Sequence, residues 1–301
     1  ITKKNNRYLF SQTSNTNDGR ENDFIKLSSD IYVIAYRDHN NRGIVASFTI
    51  SSDGATITRK DWEYLLSSSN NSYMDYNSLV QVDNNTLAVA HSGASRGGEG
   101  WITTFNVDPS TGEITGASGS SNKYVNRLKH DNVSGKYNSF VKLGGDKYVL
   151  AYAGSGDDGF LTSFTISNDG ATITEIEQVE HDNQRGFYND LIAIGDEALL
   201  LVYSGDDTGG GSAYDGFIKT FSIPVDGTTI TETYELEYST AQGEYNSLVQ
   251  MDENSFALAE SGSSDDGFII TFDVRGSDQV APSITSVTLA SDNTTVIVNL
   301  D

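Results

Sequence analysis

Four Tyr-Asn pairs recur along the chain, at Tyr76-Asn77, Tyr137-Asn138, Tyr188-Asn189 and Tyr245-Asn246. Tyrosine offers a flat apolar face and a hydroxyl; asparagine offers two donors and an acceptor. Repeated pairs of this kind suit two tasks. They can form equivalent sugar pockets, with tyrosine stacking and asparagine hydrogen-bonding. Alternatively, asparagine caps the backbone of its own loop while tyrosine wedges between repeats. A second group of residues is acidic and flanked by glycine: Asp157-Asp158, Asp206-Asp207 with Asp215, and Asp265-Asp266. Clustered carboxylates with glycine can ligate Ca²⁺ through their oxygens, although the spacing matches no EF-hand loop and no cofactor is required by the sequence. The same residues also read as Asp-Gly turns with solvated side chains.

Hydrolytic chemistry would need groups that break the repetition. Asp23 and Asp190 stand where other repeats carry Ser, and Glu260 stands where others carry Tyr or His. Two carboxylates across a glycosidic bond serve as acid and base, so a polysaccharide-active glycosidase is the alternative function. His39, His91, His130 and His181 show no metal-ligand spacing, and no Ser-His-Asp order emerges. The expectation is a protein that binds rather than catalyses, through glycans or another extracellular surface; a purely structural spacer is the third reading.

These residues sit in a repeated frame. The asparagines of the strand starts fall at 22, 77, 138, 189 and 246, with Glu21-Asn22-Asp23-Phe24 as a weaker first copy. Each start leads into a short apolar strand, then a polar turn and a second strand at 31–36, 87–91, 148–152, 199–203 or 256–260. A Gly- and Asp-rich loop follows, then an alternating strand such as Gly159-Phe160-Leu161-Thr162-Ser163-Phe164. A tight turn carrying Asp53-Gly54, Asp169-Gly170 or Asp226-Gly227 leads to a polar fourth strand. Nothing has helical periodicity, and the short runs are β-branched and aromatic. Four strands per repeat at this period predict an all-β fold, a five-bladed β-propeller of four-stranded blades.

The ends bear on closure. Residues 1–10 align with residues 57–66, which makes them a fourth strand arriving before any first strand. The last repeat stops after its third strand, so the N-terminal strand is expected to close the last blade and hide two strand edges. Residues 280–301 break the pattern and read as a β-hairpin, Ile284 to Leu289 and Thr295 to Val298, turning at Ser291 to Asn293. The expected division is a propeller at 1–279 and, at 280–301, a linker with the first strands of an immunoglobulin-like domain. The chain begins at Ile1 and is expected to be a processed or excised piece.

Composition narrows the partners. The 301 residues carry 42 acidic against 19 basic side chains, a net charge of −23, which repels nucleic acid. There is no cysteine, so neither disulfides nor a cysteine zinc site is possible. No apolar run reaches the length of a membrane helix, and no membrane insertion is expected. In a propeller the loops between strands two and three, and those leading from strand four into the next repeat, share one face. These loops are the long and variable ones, as on a recognition face.

The recurring Tyr-Asn-Ser-Leu-Val, the Gly-Phe-Ile-x-Thr-Phe strand and the Asp-Gly-x-Thr-Ile-Thr turn together resemble propeller repeats of very large secreted bacterial surface proteins. They are most like repetitive adhesins of gliding and marine Bacteroidetes. The tail from Ala281-Pro282 resembles the start of the tandem Ig-like domains in such proteins. The resemblance implies export, anchoring at the cell surface, neighbouring Ig-like domains in the same chain and a role in adhesion. It assigns no binding residue, and Glu21 and Glu260 depart from the repeat.

Overall fold

The computed structural model describes residues 8–10, 19–65, 73–93, 98–116, 123–206, 214–262, 264, 266–274, 284–289 and 296–300, the last two segments by backbone alone. The fold is all-β, a five-bladed β-propeller of four-stranded blades. Its residues group into two compact units, 1–136 with 165–174, and 137–164 with 175–301.

The first unit holds two sheets. Sheet one is a meander of β1 (Arg20–Lys26), β2 (Ile31–Arg37), β3 (Gly43–Ile50) and β4 (Ile57–Tyr64). Sheet two runs β5 (Asp75–Gln81), β6 (Thr86–Ser92) and β7 (Gly100–Val107); its fourth strand is split into β8 (Ile114–Thr115) and β9 (Asn126–Asp131), both paired with β7. Ile31, Val33 and Ala35 of β2 share a core with Leu79, Leu87, Val89 and Phe105 of sheet two. The alternate residues Ile34 and Tyr36 face the other way and pack with Phe48, Trp62, Tyr64 and Phe10. A second strand buried on both faces must be apolar throughout, which is why these strands read as continuous hydrophobic runs.

The second unit repeats the plan. Sheet three is β10 (Lys136–Gly144), β11 (Lys147–Ala153), β12 (Gly159–Ile166) and β13 (Ile173–Asp182). Sheet four is β14 (Phe187–Ala193), β15 (Ala198–Gly205), β16 (Asp215–Ser222) and β17 (Thr231–Ser239). Leu199, Leu201 and Tyr203 of β15 pack toward Leu143, Val149 and Leu161 of sheet three. Leu200 and Val202 pack toward Leu248, Phe256 and Leu258 of sheet five.

Among the described residues sheet five has three strands: β18 (Glu244–Gln250), β19 (Ser255–Ser261) and β20 (Gly267–Asp273). Of the N-terminal strand expected to complete it, residues 1–7 lie outside the described residues. The rings of Tyr8 and Phe10 lie against Phe48 and Tyr36 of sheet one. The expected C-terminal hairpin forms as β21 (Ile284–Leu289) and β22 (Val296–Leu300), paired antiparallel; its turn at 291–293 lies outside the described residues.

The third-to-fourth-strand turns also join neighbouring sheets. In the Asp53-Gly54 turn the Asp53 carboxylate accepts from the Ser51 hydroxyl at 2.6 Å and the Ala55 amide at 2.9 Å. These bonds hold its pKa below the usual range. Asp169 repeats the arrangement. Ser47 donates its hydroxyl to the Gly112 carbonyl, Thr104 to Gly170 at 2.8 Å, and Ser163 to Gly227 at 2.8 Å. Each hydroxyl stands four residues after the glycine that opens its third strand and docks on the turn of the next repeat.

Candidate functional site

The Tyr-Asn starts at Tyr76, Tyr188 and Tyr245 are β-bulges. The tyrosine adopts the left-handed backbone region, with φ of 54° at Tyr76, 52° at Tyr137, 49° at Tyr188 and 54° at Tyr245; Glu21 takes the same conformation at 51°. The pairing register slips there in each case where it is defined, between Asp75 and Ser78, Phe187 and Asp190, and Glu244 and Ser247. A left-handed non-glycine residue costs about 1–2 kcal/mol, so five repeats of it need compensation. The asparagine supplies some of that. Asn189 donates to the Gly186 carbonyl at 2.8 Å and to the Tyr137 carbonyl of the preceding sheet at 3.1 Å. Asn246 bonds Gly243 and Tyr188 in the same way, and Asn77 bonds Met74 and Glu21. The second reading of the pairs therefore holds for these asparagines. Their Nδ2 groups are committed to backbone, and Oδ1 of Asn77 and Asn189 is buried without a hydrogen bond.

One part of this motif escaped the sequence reading. Three residues before the asparagine stands a glycine: Gly19, Gly135, Gly186 and Gly243, with Met74 in the second copy. A Cβ on Gly135, Gly186 or Gly243 would overlap the backbone of Gly100, Gly159 or Gly216, the openings of the third strands. Those third-strand glycines also seat a side chain of the fourth strand: His130 on Gly100, His181 on Gly159 and Tyr238 on Gly216. In these three repeats a pair of glycines thus lets the loop into the next repeat lie flat on the sheet. The recurrence was visible in the sequence; its partner glycine is more than 25 residues away.

The tyrosine rings of the second unit pack on one another. In the second unit Tyr137 and Tyr188 have ring centroids 4.7 Å apart, and Tyr188 and Tyr245 4.4 Å apart. Phe187 adds a ring 4.6 Å from Tyr137. Burial raises the Tyr188 hydroxyl pKa, and so do a hydrogen bond with Tyr245 and the charge of Glu244. Tyr245 remains 66% exposed. Tyr76, in the first unit, directs its amide at Glu21 Oε2, 3.4 Å away.

The symmetry-breaking acids have defined positions. Asp23 accepts the amide of Leu79 at 2.6 Å, and Asp190 accepts that of Leu248 at 2.6 Å. Ser139 makes the equivalent bond to Leu191 at 2.9 Å. Asp and Ser at this position thus do one task, tying an inner strand to the next. Burial raises the Asp23 pKa, partly offset by the amides of Leu79 and Phe24. Glu260 differs: it lies on β19 opposite Phe268, its Oε2 is buried without a hydrogen bond, and burial pushes its pKa up to about 7.

The loops predicted to share a face do meet in the second unit. Gly186 donates its amide to the Asp157 carbonyl at 2.9 Å, and Gly243 donates to Tyr214 at 2.6 Å. Between β13, β15, β16 and β17 lies a cavity of about 430 Å³, to which the loops contribute Asn183, Gln184 and Asp206. Asp206 lines it, and Asp215 is buried at the start of β16. Asp157 sits in a short turn with φ of 71°. Burial and the charges of Asp182 and Asp157 raise the pKa of Asp158. Asp266 is exposed, while Asp207 and Asp265 lie outside the described residues. Among the described residues no three His, Cys, Asp or Glu side chains converge as a metal site.

Fold and site together define a β-propeller whose inner strands start in strained, aromatic bulges. A protein from Lactobacillus plantarum is similar in fold, with a TM-score of 0.53 and 14% identity over 79% of this chain and 63% of the other. A hypothetical selenium-binding protein from Sulfolobus tokodaii gives a TM-score of 0.50 at 10% identity, over 74% and 56%. A mutant NanB sialidase from Streptococcus pneumoniae gives 0.48 at 11%, over 73% and 32%. The chain spans less than two thirds of each of these structures. At such identities the likeness concerns the fold alone. No family model and no curated protein sequence matches the chain.

Proposed function

We propose that this chain is a non-catalytic extracellular binding module of a large bacterial surface adhesin, holding glycans against the tyrosines of its inner strands. The observation that carries this reading is the run of three rings, Tyr137, Tyr188 and Tyr245, ending in the exposed Tyr245. Sugar rings present apolar C–H faces that stack on aromatic planes, while neighbouring polar groups hold the hydroxyls. Glu244 and Gln242, hydrogen-bonded to each other at 2.8 Å, provide such groups beside Tyr245. The resemblance to surface adhesins supports a place at the cell surface, next to Ig-like domains of the same chain. A glycan array probed with the wild-type chain and with Tyr245→Ala tests the reading. Binding to a defined class of polysaccharide that falls at least about tenfold in the variant is expected; silence across diverse glycans would leave a spacer.

A second reading rests on Glu260. A half-buried carboxyl with a pKa of about 7 is matched to general-acid work near neutrality. If the chain cleaves polysaccharides, Glu260→Gln should abolish sugar release, and release untouched by that change rejects the site.

A further inference from the structure

The cavity of about 430 Å³ in the second unit has a chemistry that its structural role does not require. Its walls come from the end of β13 with the following loop, from β15, and from β16 and β17. Four carboxylates line it: Glu180, Asp182, Asp206 and Glu235. Among the described lining residues the one cation, Lys219, is already committed. Its Nζ donates to the His181 carbonyl at 2.6 Å and lies 3.0 Å from Glu232 and 2.5 Å from Glu235. The described lining therefore sets four carboxylates against one ammonium.

An independent observation points to a ligand. His181 lines this cavity, is only 4% exposed, and neither ring nitrogen has a hydrogen-bond partner. A buried imidazole with both nitrogens unsatisfied is unfavourable, and a bound molecule would recover it. His91 shows the satisfied alternative, with Nδ1 3.1 Å from the Ser92 carbonyl and Nε2 2.9 Å from the Thr103 hydroxyl. Burial holds the His181 pKa down at about 3, so the ring is neutral and presents one donor and one acceptor.

The remaining lining selects among ligands. Asn183, Gln184 and the Tyr203 hydroxyl, which bonds Asp182, are uncharged hydrogen-bonding groups. Phe217 is stacked on Tyr203 with centroids 5.4 Å apart and gives an apolar wall. Carboxylates call for a cation, amide and imidazole groups call for hydroxyls, and the aromatic wall accepts a C–H face. From this set we infer that the cavity binds a sugar carrying a free, protonated amine, such as a glucosamine unit. A cavity of this size lies within the range of small-molecule sites. The site is separate from the tyrosine run and does not depend on it.

Titration calorimetry of the full chain with glucosamine, N-acetylglucosamine and glucose tests the inference. Glucosamine should bind, and the acetylated and amine-free sugars should bind at least about tenfold more weakly, because they leave the carboxylates uncompensated. Asp182→Asn keeps an oxygen acceptor for the Gln184 and Arg185 amides while removing charge, and Glu180→Gln alters an exposed side chain. Each should weaken glucosamine binding with an unchanged melting temperature. Equal affinity for the three sugars, binding unaltered in both variants, or no binding of glucosamine at millimolar concentration would each overturn the inference. Loss of array binding in Tyr245→Ala with glucosamine binding retained would separate this site from the other.

Discussion

Strands β16 and β20 open alike, as Gly216-Phe217-Ile218 and Gly267-Phe268-Ile269, and both carry Thr and Phe four and five residues after the glycine. Their surroundings differ. Phe217 and Ile218 are 5% and 1% exposed, whereas Phe268 and Ile269 are 41% and 69% exposed. β16 lies between β15 and β17, and Tyr238 of β17 covers Gly216. β20 pairs with β19 alone among the described strands, and a Cβ on Gly267 would meet nothing. The same residues therefore make a core in one sheet and a surface in the other. The motif specifies a strand; its burial is specified by whatever lies beside it.

The largest contrast follows directly. Ile218→Ala removes a fully buried side chain from the core shared by sheets four and five and should cost about 3 kcal/mol. Ile269→Ala should cost about 0.5 kcal/mol or less, as exposed changes do. Urea unfolding of both variants checks this. A large loss at Ile269 would mean that a strand covers β20 in solution, and residues 1–10 would be the first to test for that role. Gly216→Ala comes next. Its Cβ would overlap the Tyr238 ring, and overpacking of this kind costs about 1–3 kcal/mol. Gly267→Ala should change stability by no more than about 0.5 kcal/mol. Equal melting temperatures for these two variants would dissolve the comparison.

Much of the frame was readable because it depends on neighbours in sequence. The Asp53-Gly54 and Asp169-Gly170 turns, the apolar second strands and the alternating third strands follow from local pattern. The split of the fourth strand of sheet two into β8 and β9 carried no comparable signal. The roles of Asp23 and Asp190 were not readable, since each is defined by an amide more than 50 residues away in the next sheet. The cavity was beyond reach for the same reason. His181, Tyr203, Lys219 and Glu235 belong to four different strands, and no spacing in the chain announces that they face one space.

Sheets four and five are also tied at their inner strands, through Asp190 and the Leu248 amide. Asp190→Ala should leave that amide unpaired and cost about 1–2 kcal/mol. Asp190→Ser should recover most of it, because Ser139 makes the same bond to Leu191 between sheets three and four. Denaturant midpoints of the two variants measure the difference. A serine variant as unstable as the alanine one would show that Asp190 does something Ser139 does not.

The smallest effect belongs to the place where the two second strands diverge, Tyr203 in β15 against Glu260 in β19. Tyr203 is buried, stacks on Phe217 and reaches Asp182 with its hydroxyl. Glu260 is opposite the corresponding Phe268 but is only half-buried, and burial lifts its pKa from 4.5 to about 7. The folded chain therefore holds this proton more tightly than the unfolded chain. Its contribution to stability is complete below about pH 4.5 and is lost as pH rises through 7, where the folded state must accept a charge it solvates poorly. Glu260→Gln cannot ionise, so its stability relative to the wild type should rise steadily between pH 5 and 8, by a modest amount because solvent reaches the group. Thermal unfolding of the pair across that range isolates the one carboxyl from the other acids. Parallel profiles would place Glu260 in open water, and with it the exposed flank of sheet five.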